Sequence, residues 1–310
     1  MAWKRKHVLG LEDFTREEIE TVLGLAKRFK ESMRSRPAKS FDYLKGYTLV
    51  NMFFEPSTRT RISFELAGLR LGMYVVNFIA EASSLAKGES IIDTVKTLDA
   101  MNVDAMVVRH SASGAPKIVA ENISGCVLNA GDGTHEHPSQ GLLDLFTMWE
   151  NGLDFQKIHV AIIGDVLHSR VARSDIYGLL KMGAKVSIAG PPTLIPLEFK
   201  EMGVGIYYSV DELLPEVDVI YLLRIQKERQ KKAFFPSLGE YTKLYGITEE
   251  RLKKAKSNVL VMHPGPMNRD VEIAGSVADG KNSVILDQVT NGVAVRMALL
   301  HLLLRGELDG

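Results

Sequence analysis

Several residue patterns that would define other classes of protein are scarce or missing in this sequence. Only one of the 310 residues, Cys126, is a cysteine, so the chain can form neither an internal disulfide nor a cluster of thiolate metal ligands. The 38 basic and 38 acidic residues cancel, so no overall field draws the protein to nucleic acid or to an anionic membrane. Any anion-binding site must therefore be local, and the single thiol favours a reducing, cytoplasmic location.

Long apolar runs and glycine-rich nucleotide loops are missing as well. No run reaches the roughly 18 apolar residues that a membrane span needs, and the basic start, MAWKRKHVLG, lacks the apolar stretch of a secretory signal. The turn AIIGDVLHSRVARS contains Gly164 but no G-x-G-x-x-G fingerprint, which argues against a dinucleotide cofactor. The sequence also shows no Walker loop, no Ser-His-Asp order and no Cys-His pair. We therefore expect a soluble protein that uses no cofactor and binds neither nucleic acid nor a membrane.

Strand-like apolar runs alternate with amphipathic helical patterns over the length of the chain. This alternation predicts βαβ units and mainly parallel sheets, and a chain of 310 residues with 45% hydrophobic content can bury two cores. The first helical pattern begins with a capping box formed by Thr15 and Glu18. We predict an α/β protein of two doubly wound domains joined by long helices. The domains are expected over residues 1–150 and 151–288, and the final helix, residues 289–305, is expected to pack back on the first domain.

The turn in FFEPSTRTRISFELAG, residues 53–68, packs three hydroxyls and two arginines into five consecutive positions. Pro56 ends a strand, and Ser57 is a good N-cap for the helix that follows. Backbone N–H groups and the positive end of the helix dipole favour an anion there, and an arginine adds a bidentate fork. We therefore interpret the turn as a phosphate cradle built from Ser57, Thr58, Arg59 and Thr60. The alternative is a solvated helix start in which Arg61 pairs with Glu65.

The same helix has large apolar residues at helical spacing. Ile62, Leu66, Leu69 and Met73 recur every three or four positions. This spacing predicts that they form the stripe that packs on the sheet.

Other turns of the first domain carry cations or neutral donors. Arg109 ends a strand in VVRHSASG, where it either points toward a ligand or pairs with a neighbouring carboxylate. His137 stands at a helix start in GDGTHEHPSQGLLDL. Its neighbour His135 raises the question of a metal, but no carboxylate follows at helical ligand spacing, so we expect no metal and a histidine that donates to a ligand oxygen. The loop EASSLAKGES presents Ser84 and Lys87, although a lysine in such a loop is by default a solvated charge.

The second half of the chain has cationic strand ends of its own. Arg170 stands at a helix start, placed to meet a carboxylate, and in YLLRIQKERQ Arg224 ends an apolar strand with Gln226 on the same side. The loop His263–Pro266 has carbonyls that cannot all find backbone partners, although a plain turn is a close alternative. Both halves thus carry a surplus of cations and donors at strand ends, which suits a site that holds a dianionic phosphate together with a dicarboxylate.

With these motifs in hand, the chain resembles the catalytic chains of the aspartate carbamoyltransferase family, within the aspartate/ornithine carbamoyltransferase superfamily. The segments STRTR followed by SFE, HPSQGLLDLF, RIQKER and HPGP occur in the family's order and approximate spacing, over nearly the whole chain. The resemblance implies transfer of the carbamoyl group of carbamoyl phosphate to the amine of L-aspartate in pyrimidine biosynthesis. It also implies a carbamoyl phosphate domain over residues 1–150, an aspartate domain over residues 151–288, and an active site in the cleft between them.

The resemblance implies a role for each site residue. The carbamoyl phosphate site would consist of Ser57, Thr58, Arg59, Thr60, Ser84, Arg109, His137, Gln140, Pro264, Gly265 and Pro266. The aspartate site would consist of Lys87, Arg170, Arg224 and Gln226. The catalytic groups would be Arg59, Thr60, Lys87, Arg109 and His137. Because no activated nucleophile is visible, we expect the amine to attack the carbamoyl carbon directly, with its proton passing to the phosphate or to Lys87.

The resemblance also implies a homotrimer in which the loop with Ser84 and Lys87 reaches the site of the adjacent subunit. Some family members carry two adjacent lysines in this loop, whereas Lys87 stands alone here. A regulatory chain or a dihydroorotase is a possible partner, as a separate chain. Two alternatives remain. One is an ornithine carbamoyltransferase, whose relatives have a cysteine where this chain has Pro264 and lack the RIQKER pattern. The other is a non-catalytic scaffold, which should have lost members of the site.

Overall fold

The computed structural model describes residues 3–79, 88–225 and 237–306. The chain forms two compact units. Unit 1 contains the residues up to Phe146 together with the segment from Val289 onward, and unit 2 contains Thr147–Gln288. The first boundary falls inside a helix, a few residues before the predicted one, and the last helix begins in unit 2 and continues in unit 1.

Helices and strands alternate through most of the described chain. The strands are β1 (Thr48–Phe53), β2 (Tyr74–Ile79), β3 (Ala105–His110), β4 (Cys126–Asp132), β5 (His159–Ile163), β6 (Lys185–Ala189), β7 (Gly205–Tyr207), β8 (Val219–Leu222) and β9 (Leu260–Met262). The α-helices are α1 (Arg16–Ser32), α2 (Thr58–Arg70), α3 (Ile91–Asp99), α4 (Ala115–Ala120), α5 (Pro138–Glu150), α6 (Arg170–Met182), α7 (Val210–Leu213), α8 (Leu238–Tyr245), α9 (Glu249–Leu252), α10 (Gly275–Ala278) and α11 (Ile285–Arg305). Short 3-10 helices cover Pro192–Leu194, Leu197–Met202 and Leu214–Glu216. Among the described helices, none is long and apolar enough to cross a membrane.

Unit 1 is built on a four-stranded parallel sheet with the strand order β2-β1-β3-β4. Phe53, the last residue of β1, pairs with Ile79 of β2 on one side and with Arg109 of β3 on the other. The chain moves from β1 to β2 in one direction and then returns to place β3 on the other side of β1. Strand order therefore reverses between β1 and β3, and in open α/β sheets ligands bind outside the carboxyl ends of the strands at such a reversal.

Unit 2 repeats this plan with five parallel strands in the order β7-β6-β5-β8-β9. Because β5 pairs with β6 on one side and with β8 on the other, strand order reverses between β5 and β8. The core of this unit contains Ile163 of β5, Ile220 and Leu222 of β8, and Tyr241 of α8, all of them buried. After His159, the residues of β5 and β8 are all apolar or aromatic, as expected of parallel strands that are covered on both faces.

The structure confirms the predicted fold class of two α/β units with mainly parallel sheets. It also confirms the capping box of α1: the Thr15 hydroxyl accepts the Glu18 N–H at 3.2 Å, and the Glu18 carboxylate accepts the Thr15 N–H at 2.8 Å. The last helix begins at Ile285, earlier than the predicted residue 289. The residues before Val289 belong to the same continuous helix.

The predicted apolar stripe of α2 is wrong. Ile62, Leu66 and Leu69 are 43%, 38% and 51% exposed, and only Met73 of the four is buried. The residues that pack inward are Thr60, Ser63, Phe64, Ala67 and Gly68. A Cβ added to Gly68 would lie 2.9 and 3.0 Å from side-chain atoms of β2 and β1. The helix lies so close to the sheet that mostly small side chains fit between them, and helical spacing alone does not show which face is turned inward.

Truncating a core side chain of unit 2 should destabilise the protein strongly. Leu222 is fully buried, whereas Leu197 is 60% exposed. We expect Leu222→Ala to lower the free energy of unfolding by about 2–5 kcal/mol, because it removes buried methyl groups and leaves a cavity. Leu197→Ala, the matched control, should change it by at most about 0.5 kcal/mol. Urea unfolding followed by circular dichroism measures both values, and equal losses would contradict the assigned core.

Candidate active site

The turn between β1 and α2 leads into a helix start that no side chain caps. Ser57 is the N-cap, with an extended backbone (φ −161°, ψ 96°), and its hydroxyl makes no capping hydrogen bond. No acidic residue stands in the first turn of this fully described helix. Thr58 and Arg59 are exposed, whereas Thr60 is buried. A helix N-terminus of this kind favours an anion, because its backbone N–H groups and the positive end of the helix dipole point toward it.

Arg109 lies beside this turn, at the carboxyl end of β3. Its Nε donates to Glu55 Oε1 at 3.0 Å, and its Nη1 donates to the carbonyl oxygen of Ala130 at 3.2 Å. The two side chains of the ion pair are only 15% and 18% exposed. The sequence left two alternatives for Arg109, which either points toward a ligand or pairs with a neighbouring carboxylate. The structure contains the ion pair. Its partners hold the guanidinium at the strand end, next to the reversal of strand order.

The turn from β4 to α5 brings His137 and Gln140 to the same end of the sheet. His137 is buried and directly precedes α5. Gln140 lies in the first turn of α5, and its Nε2 donates to both carboxylate oxygens of Asp144 at 3.1 Å. Gln140 and Asp144 are both buried. The carboxylate of Asp144 therefore orients the side-chain amide of Gln140.

His135 has a different partner. Its Nδ1 lies 3.2 and 3.1 Å from the two carboxylate oxygens of Asp132. The hydrogen bond with Asp132 raises the pKa of His135, although partial burial acts against it. Burial acts to raise the pKa of Asp132, but hydrogen bonds from His135, from the Gly114 N–H and from Asn129 outweigh it and lower that pKa. His135 thus belongs to an ion pair that anchors the turn.

Among the described residues, Glu12, His135 and Glu136 form a group with the spacing of metal ligands, since their potential ligand atoms lie within 4.8 Å of one another. The two oxygens of Glu136 already accept backbone N–H groups, from Leu11 at 2.7 Å and from Glu12 at 3.2 Å. These bonds account for the burial of Glu136 without an ion. We therefore base no metal proposal on this group.

In unit 2, Arg170 and Arg224 follow the two strands that flank the reversal of strand order. Arg170 is the first residue of α6, is 3% exposed, and stands directly after the N-cap Ser169. Arg224 follows β8 and is half-buried. Gly164 after β5, with φ +130°, lies so close to the neighbouring strand end that a Cβ would be 3.0 Å from the Leu223 oxygen. Guanidinium groups after both strands suit the binding of carboxylates, which they can contact in a bidentate manner.

The prolyl loop after β9 is held by a buried histidine and a buried carboxylate. The Gly265 N–H donates to His263 Nδ1 at 2.8 Å, so Nδ1 is an acceptor and Nε2 carries the proton. His263 Nε2 lies 3.2 Å from Glu272 Oε1, and the Asn268 N–H donates to the same oxygen at 2.6 Å. The His263 N–H in turn donates to Gln288 Oε1 at 3.0 Å. These contacts make the segment a fixed loop rather than a plain turn.

Three of the residues assigned from the sequence, Ser84, Lys87 and Gln226, lie outside the described residues. Their roles stay predictions. The other members lie at the carboxyl ends of parallel strands within their own unit. Those of unit 1 are Ser57, Thr58, Arg59, Thr60, Arg109, His137 and Gln140, and those of unit 2 are Arg170, Arg224, Pro264, Gly265 and Pro266.

Sequence reasoning missed three acidic residues that hold members of this set: Glu55, Asp144 and Glu272. Asp144 could have been found, because it stands four positions after Gln140 on a predicted helix. Glu55 could not, since 54 positions separate it from Arg109 and only the pairing of β1 with β3 brings them together. Glu272 lies in an irregular segment, where spacing carries no directional signal.

The two units offer different chemistry. Unit 1 presents helix N-terminal donors, Arg109 and His137, which can bind an anion and stabilise negative charge on a carbonyl oxygen. Unit 2 presents guanidinium groups that can bind carboxylates. Burial raises the pKa of the Cys126 thiol to about 12, which removes the single cysteine as a nucleophile at neutral pH. The arrangement favours binding and electrostatic catalysis over covalent catalysis.

Two family models match the chain in succession. The carbamoyl-P binding domain of aspartate/ornithine carbamoyltransferases matches residues 6–150, and the Asp/Orn binding domain of the same proteins matches residues 156–303. A curated relative from Moorella thermoacetica, an aspartate carbamoyltransferase catalytic subunit, is 55% identical over 306 residues, which cover 99% of each chain.

Solved structures with this fold include enzymes named for two different amino acids. An aspartate transcarbamoylase from Trypanosoma cruzi, in complex with carbamoyl phosphate and aspartate, superposes with a TM-score of 0.87 at 31% identity, over 96% of this chain and 97% of that chain. An ornithine carbamoyltransferase from Pyrococcus furiosus superposes with a TM-score of 0.86 at 30% identity, over 98% of each chain. The backbone is therefore common to both kinds of enzyme.

The ion pair of His135 with Asp132 should make stability depend on pH. Because the folded-state pKa of His135 is raised, its contribution is fully present below the unfolded pKa of about 6.5 and is lost as the pH rises through the folded value. The pKa of Asp132 is lowered, so its contribution is present above the unfolded pKa and is lost as the pH falls through the folded value. The pair should therefore stabilise the fold most between these two limits.

We expect His135→Ala to be destabilising by about 0.5 kcal/mol at pH 6 and by less at pH 8, since solvent screens an ion pair whose histidine is nearly half exposed. Urea unfolding of wild type and variant at both pH values measures the difference. A loss of stability that is the same at pH 6 and pH 8 would show that packing, and not the charge of His135, is responsible.

Proposed function

The chain belongs to the aspartate/ornithine carbamoyltransferase family, and we propose that it transfers the carbamoyl group of carbamoyl phosphate to the amine of L-aspartate. The products are N-carbamoyl-L-aspartate and phosphate, in a step of pyrimidine biosynthesis. The observation that carries this proposal is the 55% identity, over 99% of both chains, to a catalytic subunit named for this activity. Unit 1 binds carbamoyl phosphate and unit 2 binds aspartate, in line with the order of the two family models.

The phosphate group binds at the N-terminus of α2. The hydroxyl of Ser57, which makes no capping bond, donates to a phosphate oxygen together with the backbone N–H groups of the first turn. Thr58 and Thr60 add hydroxyl donors, and Arg59 adds a positive charge. Ser84 joins this set. What supports this placement is the helix start itself, which combines cations and donors with no acidic residue in its first turn.

The carbamoyl group lies beside Arg109, His137 and Thr60, which donate to its carbonyl oxygen as that oxygen gains negative charge. The ion pair with Glu55 supports this role, because it fixes the guanidinium of Arg109 before the reaction starts. Losing one such donor typically raises the barrier by about 2.7–4 kcal/mol. Gln140 contacts the carbamoyl amide, and the backbone of the prolyl loop at Pro264, Gly265 and Pro266 lines the group.

Aspartate binds through its two carboxylates. Arg170 and Arg224 form charge-assisted hydrogen bonds with them, and Gln226 and Lys87 complete the site. The placement of Arg170 and Arg224 after the two central strands of unit 2 supports this assignment. A dicarboxylate needs two separate cationic partners, and the strand ends supply them.

The amine of aspartate attacks the carbamoyl carbon directly. A C–N bond forms, the bond between the carbamoyl carbon and the phosphate oxygen breaks, and the amine proton passes to the departing phosphate or to Lys87. Arg59 and Lys87 stabilise the phosphate as it leaves. Holding the two substrates in the reactive orientation contributes roughly 7–11 kcal/mol relative to free encounter. The buried Cys126 with its raised pKa supports a route without a covalent intermediate.

The chain acts as a homotrimer in which Ser84 and Lys87 of one subunit complete the site of the next. The exposed apolar surface of unit 1 supports this assembly. Large apolar side chains on α2 and β2 are between 38% and 69% exposed: Ile62, Leu66, Leu69, Tyr74, Val76 and Ile79. Exposed apolar side chains of this kind would suit a contact with another subunit.

The proposed activity predicts that aspartate, and not ornithine, supports turnover. Phosphate release from carbamoyl phosphate is measured with L-aspartate and L-ornithine in parallel, for the wild type and for Arg224→Ala. We expect release with aspartate alone. Because Arg224→Ala removes one charged partner of a carboxylate, kcat/KM for aspartate should fall by about 10²–10³-fold. The affinity for carbamoyl phosphate should stay within about twofold.

Arg16→Ala is the control for this experiment, because Arg16 pairs with Glu20 on an exposed face of α1. It should leave both kinetic constants unchanged. Turnover with ornithine in place of aspartate would overturn the proposed substrate. Binding of carbamoyl phosphate without turnover of either amine would indicate a scaffold, and trapping of carbamoylated protein by rapid quench would overturn direct attack.

Shared sites predict that two inactive variants restore one another. Lys87→Ala removes a group that a subunit supplies to its neighbour, and His137→Ala removes a donor of its own site. When equal amounts are dissociated and reassembled together, about a quarter of the sites combine an intact His137 with an intact Lys87. We expect each variant alone to be nearly inactive and the mixture to regain about a quarter of the wild-type rate. No recovery would contradict sharing.

A further inference from the structure

The side-chain amide of Gln140 has a single orientation that its surroundings permit. Its Nε2 lies 3.1 Å from both carboxylate oxygens of Asp144, and the two side chains are 8% and 1% exposed. A carboxylate offers only acceptors, so the group of the amide that faces it must be the NH₂. The chemistry of the partner therefore assigns the two ends of the amide. The oxygen Oε1 faces away from Asp144.

The helix determines which way Oε1 faces. Gln140 lies in the first turn of α5, and Asp144 lies one turn further along. The NH₂ group is therefore directed along the helix toward its body, and Oε1 lies on the side of the N-terminus, where His137 and the end of β4 are found. An amide oxygen in this place accepts a hydrogen bond from a carbamoyl NH₂. A methyl group in place of the carbamoyl NH₂ cannot donate such a hydrogen bond.

A buried cation, Arg296, lies near enough to Asp144 for their charges to interact. Arg296 on α11 is 4% exposed. Its Nη1 donates to the Ser63 hydroxyl on α2 at 2.8 Å, and its guanidinium carbon lies 5.0 Å from the centre of the Phe64 ring. Burial lowers the pKa of Arg296 to about 10, and the charge of Asp144 opposes this effect, so Arg296 stays protonated at neutral pH. A cation nearby favours the ionised form of a carboxyl group.

The space around Arg296 leaves its guanidinium little freedom. A Cβ at Gly292, one turn earlier on α11, would lie 2.5 Å from Arg296 Nη1 and 3.2 Å from Leu143 Cδ2 on α5. The guanidinium therefore occupies the space that a side chain at position 292 would need. Arg296 thus joins α11 to α2 by a buried hydrogen bond, and its charge interacts with that of Asp144 on α5.

We propose that Asp144 is a positioning residue that turns the amide oxygen of Gln140 toward the bound carbamoyl group, and that the nearby charge of Arg296 supports Asp144 in this role. This arrangement makes the site selective for a carbamoyl phosphate over an acyl phosphate whose acyl group has no N–H donor. This inference rests on the proposed function, because it takes the carbamoyl group to lie against Gln140.

Asp144→Asn tests the orientation, because an asparagine keeps the shape but offers a donor as well as an acceptor, so the Gln140 amide can turn over. Calorimetry measures the dissociation constants of carbamoyl phosphate, acetyl phosphate and inorganic phosphate for the wild type and the variant. We expect the wild type to prefer carbamoyl phosphate over acetyl phosphate by about tenfold or more. The variant should lose most of this preference, and its affinity for inorganic phosphate should change by less than about twofold.

A double-variant comparison separates positioning from a general effect on the fold. Gln140→Leu should lose the preference as well, and adding Asp144→Asn to it should cause no further loss, because Asp144 acts through Gln140. Arg296→Lys keeps the buried charge and should retain the preference. Arg296→Met removes the charge and should lose the preference for carbamoyl phosphate. Both variants are expected to lower the Tm.

An unchanged preference in Asp144→Asn would overturn the role of Asp144, and so would an equal loss of affinity for all three ligands. A further loss of preference in the Gln140→Leu background would overturn it too. A wild type that fails to bind carbamoyl phosphate would overturn the proposed function itself. That outcome is distinguishable, because it appears before any substitution is made.

Discussion

The close packing of α2 on β1 and β2 is the constraint on which the start of α2, the proposed phosphate site, depends. At Gly68 even a single added carbon would come within 2.9–3.0 Å of side chains on the sheet, so a larger residue would push the helix outward. A rigid helix carries such a shift to its first turn, where Ser57 and its neighbours present their N–H groups beside the end of β3. The same packing turns Ile62, Leu66 and Leu69 outward. One steric requirement thus sets both the position of the proposed anion site and the outward direction of the apolar residues of α2.

Buried charged and polar groups around the site are fixed by partners that lie elsewhere in the chain. Glu55 holds Arg109, Asp144 holds Gln140, and Glu272 holds His263. A buried charge without a partner would cost several kcal/mol, so these contacts stabilise the fold and orient the donors together. For a reaction that places negative charge on a carbonyl oxygen, donors that are fixed beforehand need no reorganisation when the charge develops. Stability and catalysis therefore require the same contacts, and substitution of an acidic partner should affect both.

Local signals in the sequence predicted the parts of the protein that depend on neighbouring residues. The alternation of strands and helices, the capping box at Thr15 and the hydroxyl-rich start of α2 all follow from residues a few positions apart. The inward face of α2 did not follow, because its large apolar residues suggested one face and the tight fit against the sheet selected another. Contacts such as the 54-residue separation of Glu55 and Arg109, or the 233-residue separation of Ser63 and Arg296, depend on the assembled fold. No periodic pattern in the sequence predicts these long-range contacts.

Amino acid specificity has to reside in side chains, because the backbone does not distinguish the two substrates. The TM-scores to an aspartate enzyme and to an ornithine enzyme differ by only 0.01, at nearly equal identity. What differs between the substrates is the sign of the side-chain charge. At about 4 Å and an effective dielectric constant near 20, two unit charges interact by about 4 kcal/mol, which is roughly a thousandfold in affinity. A guanidinium after β8 would therefore attract the side-chain carboxylate of aspartate and repel the cationic side chain of ornithine. On the proposed assignment, the strand order of unit 2 places Arg224 at the ligand-binding end of the sheet, and its charge favours aspartate over ornithine.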